Sequence, residues 1–140
     1  YDPRISARYS NAENYFQTAS QAISAMIAQT GKPEFDQEGM MTKGVLIRHM
    51  VLPGCRKDSS ALLRWMKEKL PEGSFLLSLL SQYTPFYKSS QYPEIHRRLT
   101  SYEYDKVLDE AISLGLTQGF MQEKSSAKEE YTPPFNFEGL

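Results

Sequence analysis

Residues 44–54, GVLIRHMVLPG, decide how this 140-residue chain is to be read. Val45, Leu46, Ile47, Met50, Val51 and Leu52 are apolar at both parities of a pleated strand. A strand apolar on both sides is expected in a parallel sheet covered by helices. Arg48 and His49 interrupt the run. A guanidinium is rarely buried without a partner, so an anion is expected for Arg48 near the carboxyl end of the strand, where α/β sheets bind ligands. His49 points the other way and is expected to be a hydrogen-bonded core histidine.

Downstream, Pro53-Gly54 ends the strand, because proline cannot donate to a ladder and glycine permits a sharp turn. Asp58 is the expected N-cap of a helix to about Leu70, with Ala61, Leu62, Trp65, Met66 and Leu70 on its buried stripe. Pro71-Glu72-Gly73 breaks the chain before a second strand, Phe75 to Leu80, which exits through Ser81-Gln82-Tyr83. A long loop, 84–99, carries Phe86, Tyr87 and Tyr92. These aromatics either line a mouth over a substrate or pack the loop onto its own body. Thr100-Ser101-Tyr102-Glu103 fits a capping box for a third helix to about Leu114. Gly115 follows, then a short strand from Gly119 to Gln122 and a tail, 124–140.

Upstream, residues 1–10 read as a loop around Asp2-Pro3. A helix is expected from about Ala12 to Thr30, ended by Gly31 and Pro33. Glu34 to Lys43 reads as a polar connector. Strands alternating with helices predict parallel crossovers. Three strands make a sheet with exposed edges, so the chain is expected either to oligomerise or to belong to a larger sheet or barrel.

The net charge of −1 gives no electrostatic case for nucleic acid or an anionic membrane. No apolar run approaches the roughly 20 residues of a membrane span. One cysteine, Cys55, excludes an internal disulfide and a cysteine-ligated metal site made by this chain alone. A soluble protein of a reducing compartment, the cytoplasm, is expected. The start at Tyr1-Asp2-Pro3-Arg4, without methionine, suggests a piece of something longer.

Several stretches together resemble one family. GVLIRHMVLPG (44–54), LLSQYTP (79–85), YPEIHRRLT (92–100), EYDKVLDEA (103–111) and GLTQGFMQE (115–123) are similar to the radical S-adenosylmethionine (SAM) superfamily, specifically a branch like the pyruvate formate-lyase activating enzymes. YDPRISARYSNAENY (1–15) is similar to the segment that follows the fourth strand in that family. The resemblance implies an α/β fold, the C-terminal part of a partial (β/α)6 TIM-like barrel, with about three parallel strands and covering helices over residues 1–123 and a C-terminal tail over 124–140. It implies an oxidoreductase that uses SAM and a [4Fe–4S] cluster to form a 5′-deoxyadenosyl radical for hydrogen abstraction. The partners implied are SAM, a glycyl-radical enzyme or other protein substrate, and the missing N-terminal half-barrel.

Under that resemblance Arg48 matches an arginine on the SAM side of the fifth strand. Tyr83, preceded by Gln82, falls where the family places a histidine touching SAM, and the resemblance implies that Gln82 or Tyr83 hydrogen-bonds the adenine or ribose instead. The family's three cluster cysteines are absent, so the chain alone is expected to be inactive, and no catalytic residue is assigned within it. The composition fits equally a non-catalytic α/β interaction module that dimerises through an exposed sheet edge.

Overall fold

Asp2 and Pro3 open a helix where a loop was expected. The Asp2 carboxylate accepts from the Arg4 N–H at 2.9 Å, and proline at the first helical position loses no bond. The helix, α1, runs Pro3–Ser10 and ends at Asn11, whose φ of 50° is left-handed. The long helix of the sequence reading is therefore shorter, α2 at Tyr15–Thr30. The structure, a computed structural model, describes residues 1–121. The expected tail, Gln122 and the boundary after residue 123 lie outside the described residues.

The remaining elements are β1 (Glu34–Phe35), β2 (Met41–Lys43), β3 (Leu46–Met50), α3 (Arg56–Lys69), β4 (Leu76–Leu80), a 3-10 turn at Tyr87–Gln91, α4 (Ser101–Ser113) and β5 (Gly119–Met121). The polar connector is thus an antiparallel ribbon, β1 with β2. The other three strands form a parallel sheet in the order β3-β4-β5. In register, Arg48 lies beside Ser78 and Met50 beside Leu80.

These elements correct the expected partial (β/α)6 barrel. The described residues build a small α/β domain from four α-helices and two separate sheets. One sheet is an antiparallel ribbon, which a run of βα crossovers does not contain. The other has three strands, with β3 and β5 at its edges. A barrel wall needs its strands to continue into neighbours on both sides.

One layer of helices explains the packing. Leu63 and Met66 of α3 and Tyr104, Val107 and Ala111 of α4 share a single buried cluster with Val45, Ile47, Val51, Phe75, Leu77 and Leu79. The Tyr104 hydroxyl donates to the Leu79 carbonyl at 3.1 Å within that core. Both helices therefore cover the same side of the sheet. On the other side Leu76 and Leu80 are buried but lie outside this cluster. Leu46 and Met50 stay 39% and 37% exposed, and Arg48 is exposed between them. The expectation that β3 is buried on both faces is corrected to one, because β3 is an edge strand.

Gly44 sets the entry into β3. Its φ is 124°, and a Cβ there would meet the Pro33 Cα at 2.7 Å. Gly44→Ala is expected to lower stability by about 1–3 kcal/mol, through strain and backbone contact together. Urea denaturation checks this; an unchanged midpoint would mean that the approach of Pro33 does not constrain the strand.

Candidate functional site

The exits of β3 and β4 lie at one end of the sheet, where the Val51 N–H bonds the Leu80 carbonyl at 3.1 Å. This carboxyl end is the place where open α/β sheets carry ligands. Its frame is built around Glu103. The Thr100 hydroxyl accepts from the Glu103 N–H at 3.2 Å, and a Glu103 oxygen accepts from the Thr100 N–H at 3.1 Å, so the capping box read from the sequence is present. The same carboxylate also accepts from the Gly54 N–H at 2.7 Å and from both Arg97 nitrogens at 2.7 and 2.8 Å. One side chain thus ties the β3 turn, the long loop and the α4 start together. Arg97 holds the Glu103 carboxyl well below the usual carboxylate range, with the Gly54 and Thr100 donors helping.

The long loop is docked on the body. Glu94 accepts from the Arg8 guanidinium at 2.6 and 2.9 Å and from the Tyr9 hydroxyl at 2.9 Å. Tyr9 meets Tyr92 edge-on at 5.4 Å, and the Arg8 guanidinium lies 5.0 Å from the Tyr92 ring centre. Ile95 is buried. Of the two uses weighed for the loop aromatics, Tyr92 serves packing, whereas Phe86 and Tyr87 are exposed.

The sequence-predicted site residues separate into two places. Arg48 lines a cleft of about 230 Å³ between α1, α2, β3 and α3, with Phe16, Ile23 and Trp65 among its apolar walls. Among the described residues Arg48 has no ion pair or hydrogen bond. Tyr83 instead lines a smaller pocket at the end of β4. Its hydroxyl donates to the Ile95 carbonyl at 3.0 Å, and burial pushes its pKa up. Gln82 is half-buried beside it.

His49 is a core histidine. Its Nε2 is 2.9 Å from the Ser59 hydroxyl, and burial lowers its pKa to about 4, against the opposing charge of Asp58. Serine, histidine and aspartate here invite comparison with a nucleophile triad. Ser59 is buried within α3, however. Asp58 is not the helix cap; it sits in the first turn, with Cys55 at the cap position. Its carboxylate accepts from the Asp2 N–H at 2.6 Å and from the Tyr1 nitrogen at 3.1 Å, anchoring the start of the chain. The three residues hold elements together.

The Cys55 thiol is half-buried, and burial pushes its pKa up, with the Asp58, Glu94 and Glu103 carboxylates adding to the effect. A neutral thiol is a poor nucleophile and a poor metal ligand. Among the described residues, no group of three or more His, Cys, Asp and Glu side chains could hold a metal ion. None of their helices is long and apolar enough to cross a membrane.

Sequence reasoning found the capping box but not the wider role of Glu103, because Gly54 and Arg97 meet it only through the fold. The Arg8–Glu94 pair was missed for the same reason, at a separation of 86 residues. One local signal was available: acidic Glu94 beside Tyr92 and Pro93 marks a constrained turn.

No family model matches the chain, and no solved structure matches it. Among curated proteins, it is similar to the uncharacterized protein MJ0674 of Methanocaldococcus jannaschii, with 34% identity over 68 residues. The match covers 46% of this chain and 19% of the length of that protein.

Two outcomes follow from this geometry. Glu103→Gln keeps the size of the side chain and removes its charge. It is expected to cost about 1–3 kcal/mol in denaturant unfolding; a wild-type midpoint would show that the turn is held elsewhere. For His49, the folded chain disfavours the imidazolium, whereas the unfolded chain binds a proton near pH 6.5. The unfolded state therefore takes up more protons below that value, and stability should fall from about pH 6.5 towards pH 4. His49→Gln should flatten that slope in pH-dependent melting, and an unaltered slope would assign it to other groups.

Proposed function

We propose that this chain is the SAM-side portion of a radical SAM enzyme resembling the pyruvate formate-lyase activating group. The observation that carries the reading is Arg48. Arg48 is the middle residue of β3, exposed and with no anionic partner among the described residues. An arginine fork recognises a carboxylate by two parallel hydrogen bonds, so Arg48 suits the carboxylate of SAM. The sequence resemblance across residues 1–123 supports the same assignment. Gln82 and Tyr83 contribute less, since the Tyr83 hydroxyl is already committed to Ile95.

The residues present do not fit an iron–sulfur cluster. Such a cluster needs several thiolates; the chain has one cysteine, and its thiol is held neutral. Cluster ligands would have to come from outside these 140 residues. The hydrogen-abstracting step and its substrate, a glycyl-radical enzyme or another protein, therefore lie beyond what this chain performs by itself. A cytoplasmic setting agrees with a free thiol.

A second reading rests on its own observation. Leu46 and Met50 are part-exposed apolar residues on an edge strand. Such an edge can pair with another copy, which is the non-catalytic interaction module.

Arg48→Ala is expected to weaken SAM binding by on the order of 10- to 100-fold, as for a lost charge-assisted hydrogen bond, with melting temperature near wild type. Isothermal calorimetry reads the affinity. Equal affinity for both proteins would remove Arg48 from the site, and absence of SAM binding together with a concentration-dependent dimer in sedimentation would favour the interaction module.

A further inference from the structure

Helix α2 is held to the body by few groups. Ile27 is the one buried residue among its 16, and Ile23 packs against the same cluster. Phe16 meets Trp65 edge-on at 5.1 Å. Asn14, at the N-cap, makes no side-chain capping bond among the described residues. The first turn holds no acid and the last turn no base. A helix of this length draws most of its stability from packing one face on a neighbour, so α2 has room for a further contact.

Its outer surface has the composition of an interface. Ten of the 16 residues are exposed, yet no Asp, Glu, Lys, Arg or His stands between Glu13 and Lys32, in a chain that is 24% charged. The solvent side of a helix ordinarily carries charge, and depletion of charge marks the centre of an interface. Tyr15, Thr18, Ala22, Met26 and Gln29 are all exposed and recur every three or four residues, so they form one stripe. It holds the two large exposed apolar side chains of the helix, Tyr15 at 63% and Met26 at 43%.

We propose that two copies of this chain pair through that stripe, α2 against α2, antiparallel about a two-fold axis at Ala22. A two-fold axis brings the same patch together from both copies, so a charge near it would meet its like. A stripe without charge is suited to meeting itself. Centring the pair on Ala22 sets Tyr15 opposite Gln29 of the partner subunit, and Thr18 opposite Met26 of the partner subunit. Alanine at the axis lets the helices approach, and the large side chains flank the crossing instead of colliding on it. One helix about 24 Å long covers less than the roughly 800 Å² a side of a standard interface, so the dimer is weak and concentration-dependent. The surface is separate from the β3 edge and does not rest on the SAM assignment.

Sedimentation equilibrium of the 140-residue chain is expected to show a reversible monomer–dimer exchange. Ala22→Glu and Ala22→Lys each place like charges across the axis, and each alone should weaken dimerisation on the order of ten-fold or more. Both substitutions suit an exposed helix position, so melting temperatures in dilute solution should stay near wild type. An equimolar mixture of the two variants should recover the dimer, because opposite charges then meet. A wild-type chain that stays monomeric, or a mixture that does, would overturn the proposal. So would an Ala22→Glu protein that dimerises like wild type, which would move the contact to another surface such as the β3 edge.

Discussion

The Glu103 carboxylate is the constraint on which the upper end of this molecule depends. It completes the capping box of α4, pairs with Arg97 and accepts the N–H of Gly54. These groups belong to three different segments, so none can move without breaking charged hydrogen bonds. Such bonds are stronger than neutral ones, and losing a partner leaves a mostly buried charge uncompensated. A second carboxylate, Glu94, pins the same stretch of the long loop to α1 through Arg8 and Tyr9. The last part of the loop, residues 94–97, is thus fastened by acids as well as by the burial of Ile95.

That fastening matters because the sheet is covered by helices on one side. The α3 and α4 side chains share one core with alternate residues of β3 and β4. Alternation then places Leu46, Arg48 and Met50 together on the opposite side. Both helices also start at the carboxyl end of the sheet, with Arg56 and Lys57 in the first turn of α3 and Arg98 just ahead of α4. Asp58 in the first turn of α3 and Glu103 in that of α4 lie there too, so charges of both signs collect where the strands end.

The sequence made some of this visible. Thr100 and Glu103 announced the start of α4 because a capping box is local in sequence. His49 read as a satisfied core residue from strand parity, and its bond to Ser59 agrees. Asp2-Pro3 was misread because the same dipeptide opens a turn or a helix; only the Arg4 N–H reaching Asp2 distinguishes them. The apolar run in β3 was misread as two-sided burial because period-two patterning cannot tell a covered face from an exposed edge. The barrel expectation failed on what lies between the helices. Glu34–Lys43 is polar, yet it pairs with itself as an antiparallel ribbon, a pairing set by register rather than by composition. Tyr83 fell on the expected strand exit, but its hydroxyl turned inward to Ile95, a contact that no local pattern encodes.

Arg48 and Cys55 show how environment decides chemistry. Cys55 has the reactive group, but burial and three neighbouring carboxylates keep it a neutral thiol. Arg48 lies between two apolar side chains of its strand face, Leu46 and Met50. Nothing among the described residues pairs with it, so no contact there explains it as a stabilising element. An exposed charge between Leu46 and Met50 also keeps this edge strand from presenting a continuous apolar face. Arg48 stands at the middle of β3, beside Ser78 of β4. A guanidinium fork can meet a carboxylate or phosphate by two parallel hydrogen bonds, which a neutral side chain of the same reach cannot do.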